Sequence, residues 1–235
     1  MFPIGDDNTD RTITPIVNYI FIGINILVFV LLQGLGGNDA FSYAYSLVPR
    51  EVTTGIDIIG VQVVSDSLGN TGEVQHYDTP LPVYFNFISS MFMHGSIMHI
   101  FGNMLFLWIF GDNLENLLGH IRFAAFYIVC GIAAAVAQIL MGPDSIIPML
   151  GASGAISGVL GGYILLFPQR QVRALIFNFL TTVPAFVAIG LWIGYQLLLG
   201  YLTPAGTGGV AYAAHIGGFI AGVVLIKLFA LGRKV

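Results

Sequence analysis

Six stretches of this chain run for about the length of a membrane-crossing helix without one charged side chain, and this constrains its fold more than any other feature. They span residues 15–33, 84–110, 123–141, 148–167, 184–202 and 209–226. A helix rises about 1.5 Å per residue, so about 20 apolar residues cross a hydrocarbon core about 30 Å thick. Composition agrees, with 56% of residues hydrophobic and 9% charged, against about 25% charged in a soluble domain. The expected fold is all-α and polytopic, a six transmembrane helix bundle forming a single membrane domain over 1–235, with an external loop at 34–83. Thr14 before Pro15 and Thr182 ahead of Pro184 mark two helix starts, where proline forfeits no helical hydrogen bond.

The first run follows an acidic leader, Asp6, Asp7 and Asp10, and is longer than the core of a secretory signal, so it reads as a retained span. Lysine and arginine favour the cytoplasmic side of short loops. Arg11, Arg122, Arg170, Arg173, Lys227, Arg233 and Lys234 all fall on one side of a six-span topology, and only Arg50 does not. Both termini are thereby expected in the cytoplasm. The net charge of −4 lies largely in the external loop and gives no reason to expect a nucleic-acid partner. Cys130 is the only cysteine, which excludes an internal disulfide and a multi-cysteine metal site and reads as a small packing residue. Residues 168–182 are too short and too polar to span and read as an interfacial helix. The loop Thr203 to Gly209 has three glycines and reads either as a permissive lid or as a tight connector.

The segment Met149-Leu-Gly-Ala-Ser-Gly-Ala-Ile-Ser-Gly158 carries two readings. Gly154, Gly158 and Gly162 recur every fourth residue, a smooth ridge for close helix contact. Alternatively, Ser153 is a nucleophile near a helix start, where unbonded backbone N–H groups can hold an oxyanion. The second reading needs a base at the same depth. Ser153 lies about 8 Å below the start of its span, and His215 about 9 Å below the start of the sixth. His215, Gly218 and Gly222 share one helical face, so meeting glycine faces would bring His215 to Ser153. A lone intramembrane histidine can also be only a packing or proton-path residue.

In the second span, His99 and Asn103 are four apart on one face and offer donors suited to an oxyanion hole. His94, five residues before His99, reads as a brace near the helix start. The zinc-protease pattern of two histidines four apart with an adjacent glutamate is absent, so no metal is expected. Between Phe123 and Ile226 the only carboxylate is Asp144, in an expected external loop. On the nucleophile reading, the mechanism is therefore limited to a Ser153–His215 dyad.

Gly151-Ala-Ser153-Gly154, Ala214-His215-Ile-Gly-Gly218, His94 with His99 and Asn103, and Gly111-Asp-Asn-Leu-Glu-Asn-Leu-Leu-Gly119 together resemble the rhomboid family of intramembrane serine proteases. The resemblance implies Ser153 as nucleophile and His215 as general base. His99, Asn103 and the Ser153 backbone amide would stabilise the oxyanion, supported by His94, Gly151, Gly154, Gly218 and Gly222. Gly111, Glu115 and Gly119 would form a structural motif at the cytoplasmic end of the second span. Many members carry an aromatic residue one turn after the nucleophile, where Ser157 stands here. The resemblance further implies single-span membrane protein substrates cut at small residues near the outer face, no cofactor, and residence in the lipid bilayer of a prokaryotic plasma (inner) membrane. The alternatives are a catalytically inactive rhomboid-like protein that binds membrane spans, and a small channel or proton-coupled carrier using the histidines.

Overall fold

The computed structural model describes residues 2–65, 69, 71–176, 179–203 and 209–233. In chain order the elements are strand β1 (Phe2–Asp6), helix α1 (Ile16–Leu32), short helices α2 (Asp39–Ala44) and α3 (Pro49–Thr54), strands β2 (Gly60–Ser65) and β3 (Thr71–His76), and a broken helical stretch α4 (Val83–Phe92). There follow helices α5 (Ile97–Leu118), α6 (His120–Met141) and α7 (Ser153–Leu166), strands β4 (Gln171–Ile176) and β5 (Phe179–Pro184), and helices α8 (Ala185–Leu202) and α9 (Tyr212–Phe229). The structure is mostly helical. Helices α5, α6, α8 and α9 are long and apolar enough to cross a membrane, whereas α1 and α7 are apolar but shorter. The 203–209 loop expected as a lid or connector falls mostly on residues 204–208, outside the described residues.

Sheet corrects the all-α expectation. β1, β4 and β5 form an antiparallel sheet in that order, and β2 pairs with β3 within the expected external loop. Residues 168–182, expected as an interfacial helix, instead contribute β4 and most of β5. The reason is a period of two: Val172 and Ala174 are buried while Gln171, Arg173 and Leu175 face outward.

The second span is also displaced. The chain breaks at Met93 to Ser96, where the Ser96 side chain accepts from the His99 N–H and caps the new helix. α5 then continues past Phe110 through Asp112 and Glu115. The apolar-run criterion ended the span at the first charge, but these charges are compensated within the protein. Asp112 accepts from Arg11 at 2.8 Å, and the fully buried Glu115 accepts from the Val17 and Asn18 N–H groups at the start of α1. Gly111 lets Asn18 approach, since a Cβ there would overlap its side chain. Gly119, at φ 79°, makes the turn into α6.

Arginines gather at the bundle end that holds Glu115. Arg170 pairs with Asp10, Arg122 donates to the Phe229 and Leu231 carbonyls, and Arg233 to that of Leu118. Asp6 accepts from Tyr163 and Asn113 there, fastening β1 to α7 and α5. Burial pushes the Asp6 carboxyl up to about 7.

Helices α7 and α9 cross at contact distance because both are glycine-rich. A methyl on Gly218 would overlap the Gly154 carbonyl, one on Gly222 the Gly158 carbonyl, and one on Gly161 the Phe219 carbonyl. Gly162, the last residue of the expected ridge, faces Ile226 and Phe126, and Cys130 is buried against Gly158.

Candidate active site

The approach of α7 to α9 carries their first turns together. Ser153 is the first residue of α7, five residues later than the expected start at Pro148. Residues before it are held by the Leu47–Met149 bridge and by the Gly151 N–H donating to the Ser90 carbonyl. His215 is the fourth residue of α9. The Ser153 Oγ and His215 Nε2 are 2.7 Å apart. Gln138 of α6 steadies this end of α9 by accepting from the Ala214 N–H at 3.1 Å, one of the amides a helix start leaves without a partner.

His99 and Asn103 approach the same place from α5. Gly151, at φ 129°, is where they meet the chain: a Cβ there would lie 2.8 Å from His99 Nε2 and 3.7 Å from Asn103 Nδ2. Only glycine gives both side chains access to the peptide just before Ser153. The Gly95 N–H donates to His99 Nδ1 at 3.4 Å, so the neutral ring carries its hydrogen on Nε2, the nitrogen facing Gly151. Ser153, opening its helix, has a backbone N–H with no partner in the preceding turn.

The fully buried His94 lies behind these donors. Its Nε2 is 2.9 Å from Asn103 Nδ2, and its backbone N–H and carbonyl both bond the Gln33 side chain at the end of α1. His94 thereby links the end of α1 to Asn103. Beside Ser153 is a cavity of about 40 Å³ lined largely by small residues, among them Gly131, Ala134, Ala135 and Ala214.

Ser157 does not reach the imidazole, because its hydroxyl donates to the Ser153 carbonyl at 2.6 Å within α7. The ring is flanked from α8 instead, by Trp192 at 5.9 Å between ring centroids and by Gln196, whose Oε1 is 2.8 Å from His215 Nδ1. Sequence reasoning missed Gln33 and Gln196. Their only signal is a strongly polar side chain within, or at the end of, an apolar run.

The rhomboid domain model matches residues 82–231, more than half of the chain and inclusive of every site residue above except Gln33. The chain belongs to the rhomboid family. It is 31% identical over 215 residues to the mitochondrial Rhomboid protein 1 of Saccharomyces cerevisiae, covering 88% of this chain and 51% of that protein. To the Rhomboid protease GluP of Bacillus subtilis it is 27% identical, covering 88% of this chain and 34% of GluP. To the mouse Rhomboid-related protein 2 it is 30% identical, covering 59% and 46%. The chain thus spans about half or less of the length of these curated relatives. As a rhomboid with apolar spanning helices, it is an integral membrane protein.

Proposed function

We propose that this rhomboid is an intramembrane serine endopeptidase that hydrolyses peptide bonds in or near the transmembrane segments of other membrane proteins. The observation that carries the reading is the 2.7 Å contact between Ser153 Oγ and His215 Nε2, made inside the helix bundle with the His99 and Asn103 donors beside it. Ser153 attacks the scissile carbonyl as His215 Nε2 takes the hydroxyl proton. The developing oxyanion is held by His99 Nε2–H, the free amide hydrogen of Asn103 and the Ser153 backbone N–H. His215 then passes the proton to the leaving amine, and water activated by the same imidazole hydrolyses the acyl ester.

In this reading α1, α5, α6, α7, α8 and α9 are the six spans of one rhomboid-type membrane domain. The arginine-rich end is cytoplasmic, with both termini, in the plasma membrane of a prokaryote. The 14-residue α7 is about 21 Å long, so with its far end near the cytoplasmic face its first residue, Ser153, lies below the outer surface. The substrates are single-span proteins, because a helix must unwind to present an extended backbone and a lone span unwinds near its end with the fewest contacts to lose. The small cavity beside Ser153 supports small residues at the cut. No cofactor takes part.

The test is cleavage of a labelled single-span substrate by purified protein in detergent or liposomes, with Ser153→Ala as the comparison. Cleavage and fluorophosphonate labelling that vanish in Ser153→Ala are the expected result. Labelling of Ser153→Ala at the wild-type rate would remove Ser153 as nucleophile. A wild type that neither cleaves nor labels would make the chain a non-catalytic binder of membrane spans.

A further inference from the structure

Helix α8 is shallowly attached to the bundle. Its buried residues are Ala185, Ala188, Ile189 and Gln196, so beyond Ile189 a single side chain is buried, and it is an amide. The partner of that amide is His215, through the 2.8 Å contact from Oε1 to Nδ1. Placing a primary amide in an apolar helix is unfavourable unless it is hydrogen-bonded, so the contact accounts for the glutamine.

The chemistry of the imidazole gives the contact a consequence. Neutral histidine carries one hydrogen and exists as two tautomers. With the hydrogen on Nε2, the ring cannot accept the Ser153 proton. With it on Nδ1, Nε2 is free to do so. A carbonyl oxygen at Nδ1 can only accept, and so favours the productive form. Among the described residues of the helices that meet here, no carboxylate competes for this role: α6, α7, α8 and α9 carry none, and the two of α5, Asp112 and Glu115, lie at its far end bonded to Arg11 and the first amides of α1. Ser157 is committed to its own helix.

We infer that Gln196 is the positioning residue for His215: its side-chain oxygen holds the imidazole in the tautomer with hydrogen on Nδ1 and keeps Nε2 aimed at Ser153. An uncharged acceptor here occupies the place a carboxylate takes in a catalytic triad, and it comes from a helix other than the two that bear the dyad. The inference rests on the proposed Ser153–His215 dyad.

The experiment compares wild type, Gln196→Leu and Gln196→Glu in the full chain, using fluorophosphonate labelling, steady-state cleavage and 15N resonances of the histidines. In wild type the His215 signals should show Nδ1 protonated and Nε2 not. Gln196→Leu should lower both labelling rate and kcat by about 10-fold to 100-fold, as small misplacements of a catalytic group do, with KM nearly unchanged. Gln196→Glu keeps an oxygen acceptor and should recover most of the loss. Leucine at wild-type rates, leucine and glutamate equally impaired, or a resting His215 protonated on Nε2 would each overturn the positioning role. Failure of the dyad itself reads differently: wild type would then be unreactive, or Ser153→Ala would label, whatever occupies position 196.

Discussion

Gly222 of α9 lies against the Gly158 carbonyl of α7 with no room for a methyl group, two turns beyond the pair it serves. This contact and the equivalent one at Gly218 set the separation of the two helices, and the 2.7 Å contact between Ser153 and His215 inherits it. Gly222→Ala should therefore reduce fluorophosphonate labelling strongly although residue 222 is far from the reacting atoms, and should destabilise the fold by about 1–3 kcal/mol through overpacking. Gly190→Ala, which faces open space on α8, should leave both the labelling rate and the melting midpoint unchanged. Equal behaviour of the two variants would show that helix separation does not govern the dyad.

His99 and Asn103 should behave as donors to charge that forms only during reaction. Alanine at either position should lower kcat by about 10-fold to 1,000-fold with a smaller effect on KM. His94→Ala should follow Asn103→Ala in direction, since His94 bonds the Asn103 amide, and the double variant should cost less than the product of the two single losses. Steady-state kinetics on one transmembrane substrate decides this. A pure KM effect would assign the pair to substrate binding.

The approach of Ser153 to His215 was legible in the sequence because its evidence is periodic: glycines every third or fourth residue and equal depths follow directly from helix geometry. Gln196 was not legible, since one glutamine in an apolar run has no period and its meaning appears only when α8 packs beside α9. The β-sheet escaped for a related reason. β1 is five residues long, and its partner β4 is some 170 residues away, so no local pattern announces the pairing. The misplaced second span shows the limit of counting charges. Asp112 and Glu115 look like the end of a span until Arg11 and the first amides of α1 arrive from about a hundred residues earlier.

One carboxyl should contribute stability that falls as pH rises through neutrality. Burial pushes the Glu51 carboxyl, in the segment between α1 and α4, from 4.5 to about 7. A folded-state pKa above the unfolded value means that the native state binds the proton more tightly. Its contribution is complete below about pH 4.5 and is lost as pH rises through about 7. Asp6 acts in the same direction. Relative to wild type, melting in detergent should thus show less loss of midpoint between acidic and alkaline pH in Glu51→Gln, and less again in Glu51→Gln with Asp6→Asn. An acid-to-alkaline change in midpoint that is the same in wild type and Glu51→Gln would contradict the assignment.

The seam between α5 and α8 is closed at the level of the site by one aromatic pair, Phe106 and Trp192, with ring centroids 6.2 Å apart. A substrate span reaching Ser153 from the lipid must pass α8 or part this seam, because α7 and α9 are committed to each other through their glycines. The two rings differ in one respect: Trp192 also packs on His215, whereas Phe106 packs on Trp192 and Phe110. Phe106→Ala should therefore speed cleavage of a transmembrane substrate while leaving fluorophosphonate labelling, which needs no lateral entry, at the wild-type rate. Trp192→Ala opens the same seam but also loosens the imidazole. Its labelling should fall, and the ratio of transmembrane cleavage to labelling should rise above that of wild type. If Phe106→Ala cleaves the transmembrane substrate no faster than wild type and the Trp192→Ala ratio stays at the wild-type value, substrates do not enter between α5 and α8.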